Sequence, residues 1–223
     1  MHDNLTERTL SDLACSLPGS TSLLRDYKLD FCCAGQRSLR EAAGELGLDA
    51  ERIASELRAL RPASAERDWR QASNAELIEH ILERYHQRHR QQFPALLPLA
   101  QRVERTHAAH PYCPHGLVAL LERMQEELES HMCKEEHILF PWLIQGVSLL
   151  HVQGPIGVMR HEHDEHAQSL AALAELTDDL TAPANACTTW RALYAGLEEL
   201  RRDLMQHIHL ENNLLFVGAN QPQ

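Results

Sequence analysis

Aromatic residues make up only 5% of this 223-residue chain, and no stretch alternates apolar and polar residues for long. Sheets draw on aromatic and β-branched residues at period two, so a β-rich fold is not expected. No run approaches the roughly twenty apolar residues of a membrane helix, and no membrane partner is expected. The stretch from Met1 to Glu7 lacks the basic and apolar regions of a signal peptide, which makes the cytoplasm the expected location. Cationic side chains are also few. Twenty-one Lys and Arg stand against 32 Asp and Glu, a net charge of −11. A nucleic-acid surface needs clustered Lys and Arg, so that class of partner is argued against. Six cysteines (15, 32, 33, 113, 133 and 187) in a cytoplasmic chain of this size are expected as thiols.

Leu, Ala, Glu and Arg dominate the composition, which favours helices. The length suits one sizeable core, or one domain with a small appendage. Residues 1–60 read as a small helical unit. Leu5, Leu10, Leu13 and Leu17 form a helical stripe ended by Pro18-Gly19, and Ser20 or Thr21 can cap a short turn. Ser38-x-x-Glu41 fits a capping box, and Asp49 caps a further helix to about Leu60. Residues 61–73 read as a linker, with residues 74–223 as the main domain. There Ser73-x-x-Glu76 opens a first long helix that Pro94 and Pro98 should kink or locally break. A second runs from about Gly116 to Ile144. Residues 146–154 read as loop, with Pro155 in the first turn of a third helix. Thr188 caps a fourth, which runs to about Phe216. The expectation is an all-α, up-down-up-down four-helix bundle behind a small helical N-terminal domain.

Histidine is the composition anomaly: there are fifteen, most of them after Ser73. His131-x-x-x-Glu135 is followed by Leu139-Phe140, and His207-x-x-x-Glu211 by Leu215-Phe216 at the same offsets. On a helix, positions i and i+4 share a face, so each copy aims an imidazole and a carboxylate at one point. His86-Gln87-Arg88-His89 precedes the first copy and His163-Asp164-Glu165-His166 the second. His131 lies 45 residues after His86, and His207 lies 44 after His163. Residues 73–216 thus read as a duplicated helix pair supplying four His and two Glu to a two-metal site. The choice between His86 and His89, and among His161, His163 and His166, stays open at this point. Mixed nitrogen and oxygen ligands in a bundle suit iron best, with a position open on each ion for a diatomic molecule. Glu127 and Glu162 read as a solvated charged face ahead of a polar path to the metals. Whichever of His89 and His166 is not a ligand reads as a supporting or entry residue, and the remaining histidines read as surface or packing residues.

Several stretches resemble the di-iron iron–sulfur cluster repair proteins of the YtfE/ScdA type. They are Tyr85-His86, Ser130-His131-Met132-x-Lys134-Glu135-Glu136, Glu162-His163-Asp164-Glu165 and His207-x-x-x-Glu211-Asn212-Asn213. Asp30-Phe31-Cys32-Cys33-Ala34-Gly35 resembles that family's double-cysteine segment, and Ala186-Cys187-Thr188-Thr189-Trp190 also matches. The chain departs from the family at Ala34, Gln36 and Val217-Gly218, none of them a ligand position. The resemblance implies a hemerythrin-like bundle with His86, His131, Glu135, His163, His207 and Glu211 as ligands. It further implies two non-haem iron ions, carboxylate- and oxo-bridged, with nitric oxide or O2 as small ligands. The implied role is repair or protection of clusters damaged by nitrosative or oxidative stress, through iron donation to damaged or apo iron–sulfur proteins. Homodimers are among the implied assemblies. A nitric oxide-reducing di-iron enzyme is the competing reading; a diatomic sensor or carrier ranks lower, because no signalling domain is recognisable. Cys32 and Cys33, on a short loop before a capped helix, are expected to be accessible, low-pKa thiols that relay chemistry to the metals or a client.

Overall fold

The computed structural model describes residues 4–60 and 68–218. No strand occurs among them; the β feature is an isolated bridge between Thr9 and Ser38. The chain gathers into two compact units. One holds the N-terminal stretch to Leu77 together with the chain end from Ile208, and the other spans Ile78–His207.

The first unit begins with a 3-10 turn, Leu5–Glu7, so the helical stripe expected from Leu5 starts later, as α1 (Leu10–Ser16). Thr9 caps α1 by accepting from the Asp12 N–H at 3.2 Å. Helix α2 (Ser20–Asp26) follows Gly19, whose φ of 81° supplies the left-handed turn. Ser20 is therefore a helical residue rather than a cap, and its buried hydroxyl donates to the Leu13 carbonyl at 2.9 Å. The expected capping box opens α3 (Leu39–Glu45), with Ser38 and Glu41 exchanging bonds of 2.9 and 3.2 Å. Asp49 caps α4 (Ala50–Ala59) through the Glu51 and Arg52 N–H groups. Leu10, Leu13, Leu24, Phe31, Leu39, Ile53 and Leu57 form the core of this unit. Of the expected linker, residues 61–67 lie outside the described residues. Trp69–Gln71 forms a 3-10 turn held by Asp68.

Beyond Ser73, the first long helix is α5 (Asn74–Ile81), a π turn (Leu82–His86) and α6 (Gln87–Thr106) in one continuous run. The second is α7 (Leu117–Lys134), a π turn (Glu135–Leu139) and α8 (Phe140–Ile144). The third is α9 (Leu149–Leu176) and the fourth α10 (Thr188–Leu210), which continues into a π turn at Glu211–Leu215 and then α11 (Phe216–Gly218). Cross-helix pairs give the sense of packing. Arg84 meets Asp203, Arg88 meets Glu199 and His107 meets Cys187, so the first and fourth helices run antiparallel. His86 meets Glu136, Arg90 meets Glu129, and Glu104 accepts from the Val118 N–H, so the second also opposes the first.

Proline outcomes differ from expectation. Pro94 and Pro98 neither break nor end α6. An interior proline frees one carbonyl and costs about 3 kcal/mol. Both lie exposed, four residues apart on one stripe, so water can take the freed carbonyls. Likewise α9 starts at Leu149 and carries Pro155 inside it, so most of the expected loop at 146–154 is helix. Thr188 is the first residue of α10, not its cap; the Cys187 carbonyl accepts from the Arg191 N–H at 3.0 Å.

Leu193, Leu197, Leu200 and Leu204 give α10 a buried stripe at helical spacing. Trp190, 0% exposed, closes the far end beside His107 and Tyr194. Removing a buried Trp leaves a cavity that the helices refill only in part. Trp190→Ala should lower unfolding free energy in urea by about 3–5 kcal/mol. A loss below about 1 kcal/mol, the ordinary point-mutation level, would mean Trp190 is not part of the bundle core.

Candidate metal centre

Three of the four long helices widen into a π turn where a proposed ligand sits. His86 ends the first π turn, Glu135 begins the second and Glu211 begins the third. In each, the N–H after the turn reaches back five residues: Gln87 to Leu82, Phe140 to Glu135, and Phe216 to Glu211. The two His-x-x-x-Glu copies are thus duplicated in backbone shape as well as in letters. The extra residue in each turn shifts the helix phase, so adjacent Leu139-Phe140 and Leu215-Phe216 are both buried. Pro141, which has no N–H, stands in the first turn of α8 just after one such turn, and His137 Nδ1 lies 2.8 Å from the Cys133 carbonyl.

Within the bundle unit the imidazoles converge as two pairs. His86 Nε2 lies 3.1 Å from His207 Nε2, and His131 Nε2 lies 3.1 Å from His163 Nε2. Glu135 stands between the pairs, with Oε2 3.5 Å from His86 Nε2 and Oε1 3.3 Å from His131 Nε2. All five are fully buried or nearly so. Glu211, also buried, follows His207 by one turn on the same continuous helix, which presents it on the same face.

Two outer carboxylates fix which nitrogens face inward. His86 Nδ1 lies 2.8 Å from Glu136 Oε1, and His131 Nδ1 lies 2.9 Å from Glu162 Oε2. A carboxylate accepts only, so each Nδ1 carries the proton and each Nε2 turns a lone pair to the centre. Glu136 is also held by Arg90, and Glu162 by Lys134. The His86 and His131 bonds are the main cause that holds each carboxyl at about 2, so both stay ionised throughout the neutral range. Burial pushes the His207 imidazole well below its ordinary value, which keeps it a neutral donor.

This arrangement fits a metal. Two nitrogens about 2.1 Å from one ion and at right angles stand about 3.0 Å apart. Each 3.1 Å pair therefore suits neighbouring positions on one ion. Imidazoles joined by a carboxylate with an oxygen toward each pair form a nitrogen–oxygen donor set of the kind transition metals take.

Residues 77–217 match the hemerythrin HHE cation binding domain, and residues 6–61 match a domain of unknown function named ScdA_N. The chain is 49% identical to an iron-sulfur cluster repair protein YtfE of Musicola paradisiaca over 96% of both chains. It is 50% identical to that of Edwardsiella ictaluri, and 48% identical to that of an Escherichia coli strain, each over 96% of both chains. This chain belongs to the hemerythrin-like YtfE family. The family resemblance therefore read correctly from the sequence.

For this YtfE-family chain the geometry also sorts the alternatives left open among the histidines. His86 and His163 join the pairs, whereas His161 has a side chain 76% exposed. His89 and His166 are buried and lowered to about 3 by burial, so they are neutral rings packed against His207 and His131. His89 Nδ1 faces Gln92, which in turn donates to buried Asp203 at 2.9 Å. Glu127 is exposed and paired with Arg123, as a solvated face requires. Glu162 is not such a face residue, because His131 draws it inward. Glu136 carries the equivalent role and was missed; its place beside Glu135, on a helix flanking His86, was the available signal. The expectation of an accessible, low-pKa Cys32 is overturned. Its side chain donates to Asp30 Oδ1 at 3.2 Å and the residue is 4% exposed. The Cys33 thiol beside it, then burial, push the Cys32 thiol well above the usual range. Cys33 is half-buried, and all six cysteines are thiols.

Proposed function

We propose that this chain is a di-iron protein that restores iron–sulfur clusters damaged by nitrosative or oxidative stress, by donating ferrous iron to damaged or apo iron–sulfur proteins. The observation that carries the reading is the division of Glu135, one oxygen toward each imidazole pair. In this reading His86 and His207 would hold one ion and His131 and His163 the other, with Glu135 and Glu211 completing the donor set. The relatives' name, iron-sulfur cluster repair protein, supports the client class. No helix among the described residues is long and apolar enough to cross a membrane, and we place the work in the cytoplasm.

Iron held there would supply ferrous ions able to take small ligands such as nitric oxide or O2. The chain's own part is orientation and release. Glu136 and Glu162 keep the Nε2 lone pairs of His86 and His131 turned inward. The neutral rings of His89 and His166 pack against the inner histidines and exclude water from that side. Neutral imidazoles and only two carboxylates bind ferrous iron less tightly than thiolates would, which suits a donor.

The test is anaerobic purification, metal analysis and Mössbauer spectroscopy, followed by incubation with an enzyme whose four-iron cluster nitric oxide has damaged. About two irons per chain and recovery of the enzyme's activity are expected. Zinc in place of iron, or iron that never reaches the damaged enzyme, would overturn the reading.

A further inference from the structure

The N-terminal unit carries a second cluster of donor atoms, one that the bundle centre does not use. Asp30, Cys32 and Cys33 offer a carboxylate oxygen and two sulfurs within 4.8 Å of one another. The two sulfurs lie 3.8 Å apart, and Cys32 Sγ lies 3.2 Å from Asp30 Oδ1.

The loop that presents them is held from several sides. Asp30 Oδ1 accepts from the N–H groups of Cys32 at 3.1 Å and Cys33 at 2.9 Å, which folds both cysteines back over the carboxylate. Asn212 and Asn213, directly after Glu211, donate to the carbonyls of Cys32 at 3.1 Å and Phe31 at 3.0 Å. Phe31, almost fully buried, packs edge-on against His209. A Cβ at Gly35 would stand 2.6 Å from the Phe31 carbonyl oxygen and 2.9 Å from Ser11 Cβ. Only glycine therefore lets the loop lie against α1, where Ser11 N–H donates to the Gly35 carbonyl at 2.8 Å. Cys32 is buried while Asp30 and Cys33 are half-buried, so the cluster opens to one side.

Two sulfurs and one carboxylate are a donor set for a thiophilic divalent cation, and three donors leave a tetrahedral position open. Adjacent cysteines close a disulfide only with strain, so this pair is better suited to sharing an ion than to bonding each other. We propose that Asp30, Cys32 and Cys33 form a separate site for one thiophilic divalent cation, with the fourth position left for a client's ligand. Binding replaces two S–H bonds by two sulfur–metal bonds and releases two protons to solvent, with no change of oxidation state. The site serves as a hand-off point for ferrous iron; that cargo rests on the repair reading, whereas the cation site itself does not.

The test titrates the full chain, its bundle already loaded with iron, with Co²⁺ and separately with Cd²⁺. One further equivalent should bind, with a thiolate-to-metal charge-transfer band in the near ultraviolet. The Cys32→Ser, Cys33→Ser protein should lose that band and that equivalent while its iron content and Mössbauer spectrum stay unchanged. Cys33→Ser alone, at a half-buried position, covers the case in which the double variant folds poorly. Asp30→Asn should weaken cation binding by at least the roughly 10–100-fold that losing an outer-shell partner costs. A wild-type protein without the band, or Ser variants that keep it, would overturn the site. Iron transfer slowed in the Ser variants supports the hand-off, and transfer at the wild-type rate overturns it. No transfer from wild-type protein that shows the band would strike the repair reading while the cation site stands.

Discussion

Alanine in place of Glu135 should empty both halves of the bundle centre at once. This carboxylate puts Oε2 3.5 Å from His86 Nε2 and Oε1 3.3 Å from His131 Nε2. Losing a ligand costs each ion more than the 10–100-fold in affinity typical of losing an outer-shell partner. His163→Ala, by contrast, should weaken the half it serves far more than the other. The apo-protein should respond in the opposite direction. A buried carboxylate is expensive to desolvate, so without metal the Glu135→Ala protein should be at least as stable as wild type. Metal binds the folded chain and not the unfolded one, so ferrous iron should raise the wild-type melting temperature and leave the variant's unchanged. Metal analysis and thermal unfolding with and without iron, under anaerobic conditions, check both arms. A Glu135→Ala protein that keeps its full iron complement would dismiss the bridging role.

Several helix starts and the candidate donors could be read because each rests on short-range chemistry. Ser38, Asp49 and Ser73 signal helix starts within three residues, and the bonds they announce are present. The duplicated His-x-x-x-Glu spacing places donors on one face without reference to the rest of the chain. What could not be read depends on tertiary context. Pro94, Pro98 and Pro155 carry a strong local signal for breaking a helix, but packing on either side carries the helix through. The π turns have no period of their own in the sequence. They are visible only as two adjacent apolar residues, Leu139-Phe140 and Leu215-Phe216, where a regular helix would bury one. The exposure of Cys32 was misjudged for a related reason. A cysteine on a short loop looks accessible until Asn212 and Asn213, some 180 residues away, are seen to hold that loop's carbonyls.

The outer carboxylates should act on one half of the centre each. Glu136 bonds His86, and Glu162 bonds His131. Each polarises its imidazole and locks the proton on Nδ1, so its loss both lowers ligand basicity and lets the ring turn. Glu136→Ala should weaken the ion held by His86 and His207 by about 10–100-fold, and Glu162→Ala the ion held by His131 and His163 by a similar factor. Glutamine at either position keeps an acceptor oxygen but not the charge, so its effect should fall between wild type and alanine. The neighbours make the two sites unequal. Arg90 keeps Glu129 when Glu136 is removed, whereas Lys134 is left to solvent when Glu162 is removed. The ring of His131 should therefore be the less constrained of the two, and Glu162→Ala the larger effect. Iron release to an excess of chelator separates the halves: one kinetic phase should accelerate in each variant while the other holds its rate. Both phases accelerating together in either single variant would mean the ions are not held by separate histidine pairs. Since both carboxylates remain ionised down to about pH 2, these differences should be flat across neutral pH.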